Sequence, residues 1–256
     1  MKFGVSVSIR TAEPTGEKLA LLERISSWRF DGVELHVHDP LNLDSIRVIR
    51  QHLAGLGLEA TVAGAPKPSV PLERHVRDLV DACALLDAHV LCGPFALTSD
   101  RAGVGMLAGV TAYAAARGVT LTLGGRDDSG GSSALTLAET CRLVDAVGDP
   151  NLGILYNTYQ VHIAESSISS AILAAGARLR HVQIAENDDA VPGTGQVGWS
   201  ETFAALDVIR YDGWYVVDAR RDEHVEAIAP GGLRFLKRHR DHSPLQFSST
   251  QIPSKR

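Results

Sequence analysis

The feature that most constrains this chain is an alternation of two periodicities. Eight short β-rich runs, at residues 3–7, 32–35, 59–62, 90–92, 119–123, 153–156, 181–184 and 214–217, alternate with longer helical stretches. Residues 17–28 carry Leu19, Leu21, Leu22 and Ile25 at helical spacing, and residues 72–86, 104–117, 135–147 and 201–209 behave alike. A further helix is expected from Ser45 to about Ala54, with Asp44 as its N-cap and Gly55 and Gly57 as its stop. Repeated β-α units predict a parallel sheet. Eight parallel strands can close on themselves, so the expected fold is an α/β (β/α)8 TIM barrel, which has no sheet edge.

The 256 residues suit one such barrel, and by length alone would also suit two small domains. No Pro/Gly/Ser-rich linker divides them. The expectation is one barrel domain over residues 1–240, followed by a flexible polar tail over 241–256. A dinucleotide-binding fold would place G-x-G-x-x-G after the first strand, where Ser8-Ile-Arg-Thr-Ala12 stands instead. No nucleophile elbow of the form G-x-S-x-G supports Ser-His-Asp catalysis.

Charge and cysteine usage narrow the function classes. The formal net charge is −5 and the basic residues are dispersed, so no nucleic-acid groove is expected. No apolar run approaches the roughly 20 residues that span a bilayer. The chain enters a strand directly from Met1, with no apolar signal segment. Cys83, Cys92 and Cys141 lie far apart and form no C-x-x-C pair. Dispersed thiols of this kind fit a cytoplasmic protein.

Several segments, taken in order, resemble the xylose isomerase-like barrels, with the ketose 3-epimerases (D-tagatose 3-epimerase type) as the nearest branch. They are Phe30-Asp-Gly-Val-Glu34, Leu91-Cys-Gly-Pro94, Gly118-Val-Thr-Leu-Thr-Leu123, Tyr156-Asn-Thr-Tyr-Gln160 with Ile163-Ala-Glu165, His181-Val-Gln-Ile-Ala-Glu-Asn187 with Pro192-Gly-Thr-Gly195, and Tyr211-Asp-Gly-Trp214. The resemblance implies a sugar isomerase or epimerase scaffold whose divalent ion, commonly manganese, is held at the strand ends by two glutamates, an aspartate and a histidine. Those glutamates also move protons on the two faces of the sugar carbon.

Carried onto this chain, the four ligand positions are Gly124, Asn157, Gln183 and Asp218. Glycine supplies no ligand, and the amides offer only neutral oxygens, whereas first-row ions favour imidazole and carboxylate. The resemblance further implies that Gln160 and Asp189 replace a histidine and an arginine that contact sugar hydroxyls. The expectation is therefore an enzyme without a catalytic metal and without a cofactor. It would catalyse proton transfer on a small, sugar-like or otherwise oxygenated molecule: isomerisation, epimerisation, or a related elimination or cyclisation. A silent barrel that binds a small molecule or a protein is the alternative, and a metal-dependent epimerase ranks last. Homo-oligomerisation is an expectation from resemblance alone.

Asp218, at the end of the last strand, is the first candidate for acid or base, followed by Glu34 and His36 on the second strand. Strand alternation would put Glu34, His36 and His38 on one side. Asn157, Gln160, Gln183, Glu186, Asp189 and Arg126 are candidate substrate contacts; Arg126 would suit an anionic group, or a surface ion pair. Trp199 and Trp214 are expected to pack the outer layers of the barrel.

Overall fold

The computed structural model describes residues 1–9, 16–37, 42–64, 69–93, 95, 99–124, 135–219 and 221–242. Eight parallel strands close into a barrel in sequence order: β1 (Lys2–Ile9), β2 (Gly32–Val37), β3 (Glu59–Gly64), β4 (Val90–Gly93), β5 (Thr120–Leu123), β6 (Leu152–Asn157), β7 (Leu179–Ile184) and β8 (Trp214–Val217). The outer layer comprises α1 (Gly16–Ser27), α2 (Leu43–Leu56), α3 (Leu72–Leu86), α4 (Arg101–Ala115), α5 (Leu137–Val147), α6 (Thr158–Ala164), α7 (Ile168–Ala175), α8 (Trp199–Val208) and α9 (Asp222–His242). α6 and α7 both precede β7, where no helix is expected from periodicity. Seven and eight residues are too short to show a helical repeat. The helix α9 continues through His242, and residues 243–256 lie outside the described residues.

Local chemistry sets the helix ends. Asn42, not Asp44, caps α2, because its side chain accepts from the backbone N–H groups of Asp44 and Ser45. Asp44 stands inside the first turn, where its charge favours the helix dipole. Thr136 and Glu139 form a reciprocal capping box on α5.

Strand alternation divides the side chains into two sets. Outward residues such as Val5, Leu35, Val62, Leu91, Leu121, Ile154, Val182 and Val217 are buried against the helices in the main core. Inward residues fill the lumen, where polar side chains sit beside a small apolar cluster of Ala63, Cys92 and Leu155. The register sets Ser6 beside Glu34 and Glu34 beside Thr61, while Asn157 pairs with Gln183 and Leu155 with His181.

Trp214 departs from its expected place in the outer layers. It lies on the same face of β8 as Val216, and its ring reaches across Gly4 and Gly32 to plug the lower end of the lumen. A Cβ at Gly32 would stand 2.8 Å from that ring and 2.3 Å from the Glu59 carbonyl oxygen. Gly32→Ala is therefore expected to cost about 1–3 kcal/mol, as overpacked cores do. The check is a lower denaturant midpoint at unchanged m-value.

Candidate active site in the barrel lumen

The site is built around one carboxylate. Glu34 has no solvent exposure, although its strand opens toward the C-terminal mouth. Its Oε2 accepts from His181 Nε2 at 2.7 Å. Its Oε1 accepts from Gln183 Nε2 at 2.7 Å and from His36 Nε2 at 3.0 Å. Burial by itself would raise the Glu34 carboxyl, but the His181 charge and hydrogen bond, reinforced by His36, hold it far below the usual carboxylate range. The group is an ionised carboxylate inside a barrel.

The network extends along the strand ends. Gln183 Oε1 accepts from Asn157 Nδ2 at 3.1 Å, and Asn157 Oδ1 accepts from the backbone N–H of Gln160 at 3.1 Å. Asn157 thus ends β6 and caps α6 at once. Gln160 lies in the first turn of that helix and is half-buried. Across the mouth, Asp218 Oδ1 accepts from Ser6 Oγ at 3.2 Å, and Ser6 Oγ in turn accepts from the Ala219 backbone N–H at 2.9 Å. Asp218 is partly exposed. The lumen therefore joins Glu34, His36, Asn157 and Gln183 in one hydrogen-bonded set, with Asp218 on the far side of β1. His36 and Glu34 share a face as alternation requires; His38 and Arg126 lie outside the described residues.

Glu186 and Asp189 have other partners. The Glu186 carboxylate is buried and accepts from the backbone N–H groups of Asn187, Gly193 and Val197 and from the Trp199 indole at 2.7 Å. It organises the loop after β7 from beneath. Burial opposes its ionisation, but the Trp199 and backbone donors outweigh that and lower its pKa. Trp199 itself packs in the outer layer against Phe203 and Phe235, as expected. Asp189, in the left-handed region at φ 52°, lies 3.7 Å from the His224 imidazole of α9.

Two lumen residues escaped the sequence reading. His181 sits two residues before Gln183 on the same face of β7, and Cys92 projects from β4; both are fully buried. The signal was present in the alternation of His181 with Gln183, but only the barrel brings β7 against Glu34 of β2. One ligand atom each from Glu34, Cys92 and His181 lie within 4.8 Å of one another. Burial, strengthened by the Glu34 charge, pushes the Cys92 thiol well above its ordinary value.

The four strand-end positions do not offer the same opportunity. Gly124 has φ +127°, and a Cβ there would stand 2.4 Å from the Leu155 carbonyl oxygen. A glutamate is blocked at this position by backbone on both counts. The Asn157 and Gln183 oxygens already accept hydrogen bonds. One carboxylate, Asp218, and two engaged amides do not fit a tightly held divalent ion at the strand ends.

A family model described as a xylose isomerase-like TIM barrel matches residues 22–239. The chain belongs to that family. Its relatives include a probable ketose 3-epimerase of Synechocystis, 26% identical over 93% of this chain and 96% of the relative. A D-psicose 3-epimerase of Enterocloster bolteae is 25% identical over 85% and 82% respectively. Among solved structures, a D-allulose 3-epimerase from Methylomonas superposes with a TM-score of 0.78 at 21% identity, covering 93% of this chain and 98% of that one. An L-ribulose 3-epimerase gives 0.79 at 19% identity over 100% and 99%. At these identities the structural likeness speaks for the barrel. Among the described residues, no helix is long and apolar enough to cross a membrane.

Glu186→Gln retains the shape of the family loop and removes its charge. Charge-assisted hydrogen bonds of this kind contribute about 1.5–3 kcal/mol, so the variant should lose stability of that order at neutral pH. Because the folded carboxyl titrates below its unfolded value, the stabilisation is present above the ordinary glutamate range. It is lost as the pH falls through the depressed value. The stability difference between wild type and variant should accordingly shrink in acid, measured by denaturant unfolding at a series of pH values.

Proposed function

We propose that this chain is an enzyme of sugar-like or other small oxygenated substrates that works by proton transfer, without a divalent ion at the strand ends. Isomerisation, epimerisation, or a related elimination or cyclisation falls within that chemistry. The observation that carries the reading is the state of the strand-end residues. Gly124 admits no side chain, while Gln183 is locked to Glu34 and Asn157 to Gln183, so neither amide oxygen is left free for an ion. What remains at the mouth is an acid-base and hydrogen-bonding set.

In this reading Asp218 is the general acid or base. It is partly exposed, it follows β8 directly, and Ser6 orients one of its oxygens. His36, held by Glu34, is the second proton-transferring group; a buried carboxylate fixes which imidazole nitrogen carries the proton. Asn157, Gln160 and Gln183 orient substrate hydroxyls, and amide N–H groups can stabilise a developing oxyanion. Glu186 and Asp189 act on substrate through the loop they hold. The substrate class is supported by the ketose 3-epimerase names of the relatives. Dispersed free thiols support a cytoplasmic setting.

A silent binding barrel is the second reading, favoured by the mutual satisfaction of Glu34, Gln183 and Asn157. Incubating the protein with cell extract and profiling metabolites separates the two: depletion of one metabolite with growth of an isomer or dehydrated product supports the enzyme. Saturable binding without conversion supports the silent barrel. Once a substrate is found, Asp218→Asn should lower kcat by about 100-fold or more, the typical scale of a lost acid or base. Turnover should persist in a chelator that removes manganese. Unchanged turnover in Asp218→Asn removes that residue from its role, and manganese-dependent turnover overturns the proposal.

A further inference from the structure

The cluster of Glu34, Cys92 and His181 shares Glu34 with the activity proposed above but points to a different ligand. We propose that these three residues form a buried site for a thiophilic divalent ion such as zinc, one inward-facing layer below the strand ends.

The geometry supplies the first argument. The three ligand atoms lie within 4.8 Å of one another, on β2, β4 and β7, so three rigid strands converge on one point. Zinc bonds to nitrogen and oxygen are about 2.0–2.1 Å and to sulfur about 2.3 Å, which separates tetrahedral ligand atoms by about 3.3–3.6 Å. The His181–Glu34 pair stands inside that spacing, and the other pairs lie within 4.8 Å. The His181 to Glu34 contact, at 2.7 Å, must open by roughly half an ångström to reach it.

The donor chemistry supplies the second. A thiolate, an imidazole and a carboxylate make a mixed set that zinc accepts and that magnesium, calcium or manganese would not select. The Glu34 carboxylate and a Cys92 thiolate together carry two negative charges, which cancel the charge of the ion where all three ligand residues are buried. On binding, the Cys92 thiol and the His181 Nε2–H each release a proton to solvent, leaving the thiolate and the imidazole nitrogen that hold the ion. Glu34 Oε1 keeps its bonds to His36 and Gln183, so the set at the mouth is preserved.

Unsatisfied polar atoms supply the third. His181 Nδ1 and Thr61 Oγ1 are buried without a hydrogen-bond partner, and Thr61 is paired in register with Glu34. Buried polar atoms are nearly always satisfied, and an exception calls for a cause such as a water or an ion. Both belong to residues that meet Glu34, His181 by a hydrogen bond and Thr61 in register.

The test needs no substrate. Protein dialysed against chelator is titrated with Co2+, reading the thiolate-to-cobalt charge-transfer absorption and the melting temperature. The expected result is saturation at one equivalent, with the band present and a raised melting temperature. Cys92→Ser should abolish the band, and His181→Gln should weaken binding at least tenfold; Cys141→Ser should leave both unchanged. Cobalt-edge X-ray absorption on the wild-type complex provides a reading that does not depend on any variant folding. One sulfur in the first shell is expected. No saturable uptake, or a shell of nitrogen and oxygen alone, overturns the site. A band that survives Cys92→Ser and is lost in Cys141→Ser also overturns it. Asp218→Asn should bind Co2+ like the wild type, so failure of the ion site and failure of the proposed activity are read separately.

Discussion

An ionised carboxylate buried in the middle of a β-barrel is the constraint on which this structure depends. Placing a lone charge there would cost several kcal/mol, so the fold must surround Glu34 with donors. It does so from three sides: His181 on one oxygen, and Gln183 and His36 on the other. Each of those side chains comes from a strand whose register the barrel fixes. The polar lumen and the hydrophobic layer outside it are therefore one design, because the same alternation that turns Val33 and Leu35 to the core turns Glu34 inward.

The consequence reaches the strand ends. Gln183 gives its amide N–H to Glu34 and must then receive a hydrogen bond at its oxygen, which Asn157 supplies. Asn157 in turn uses its own oxygen to start α6. Charge balance at one buried residue thus organises two positions where the wider family is expected to hold an ion. Beneath the neighbouring loop Glu186 plays a comparable part, gathering three backbone N–H groups and an indole around a second carboxylate. Both carboxylates are held ionised by donors rather than by solvent.

Much of the barrel could be read from the chain, since strand and helix periodicities are local and repeat eight times. The helices α6 and α7 could not, because each is too short for its pattern to emerge. The α2 cap was misplaced by two residues because Asn42 and Asp44 are both good caps and only the backbone turn distinguishes them. Trp214 read as an outer-layer residue. Its inward turn depends on the two glycines opposite, Gly4 and Gly32, which lie far away in sequence. Among the candidate site residues, Glu34 and His36 follow from their place at a strand end, whereas Asn157, Gln183 and Asp218 come from the family resemblance. Cys92 and His181 follow from neither, because nothing in their own segments says what they face.

The sequence by itself determined the repeated β-α order, the family, and the residue types at the mouth. Through the resemblance it also implied that Gly124 offers no ligand, since glycine has no side-chain donor. Only the tertiary structure decided that no side chain can stand at Gly124, because the obstacle is the Leu155 carbonyl on the adjacent strand. It alone decided that Glu34 meets His181 across 147 residues of chain. Such encounters depend on which strands close the barrel and in what register. Those are long-range pairings, and no local pattern of residues encodes them directly.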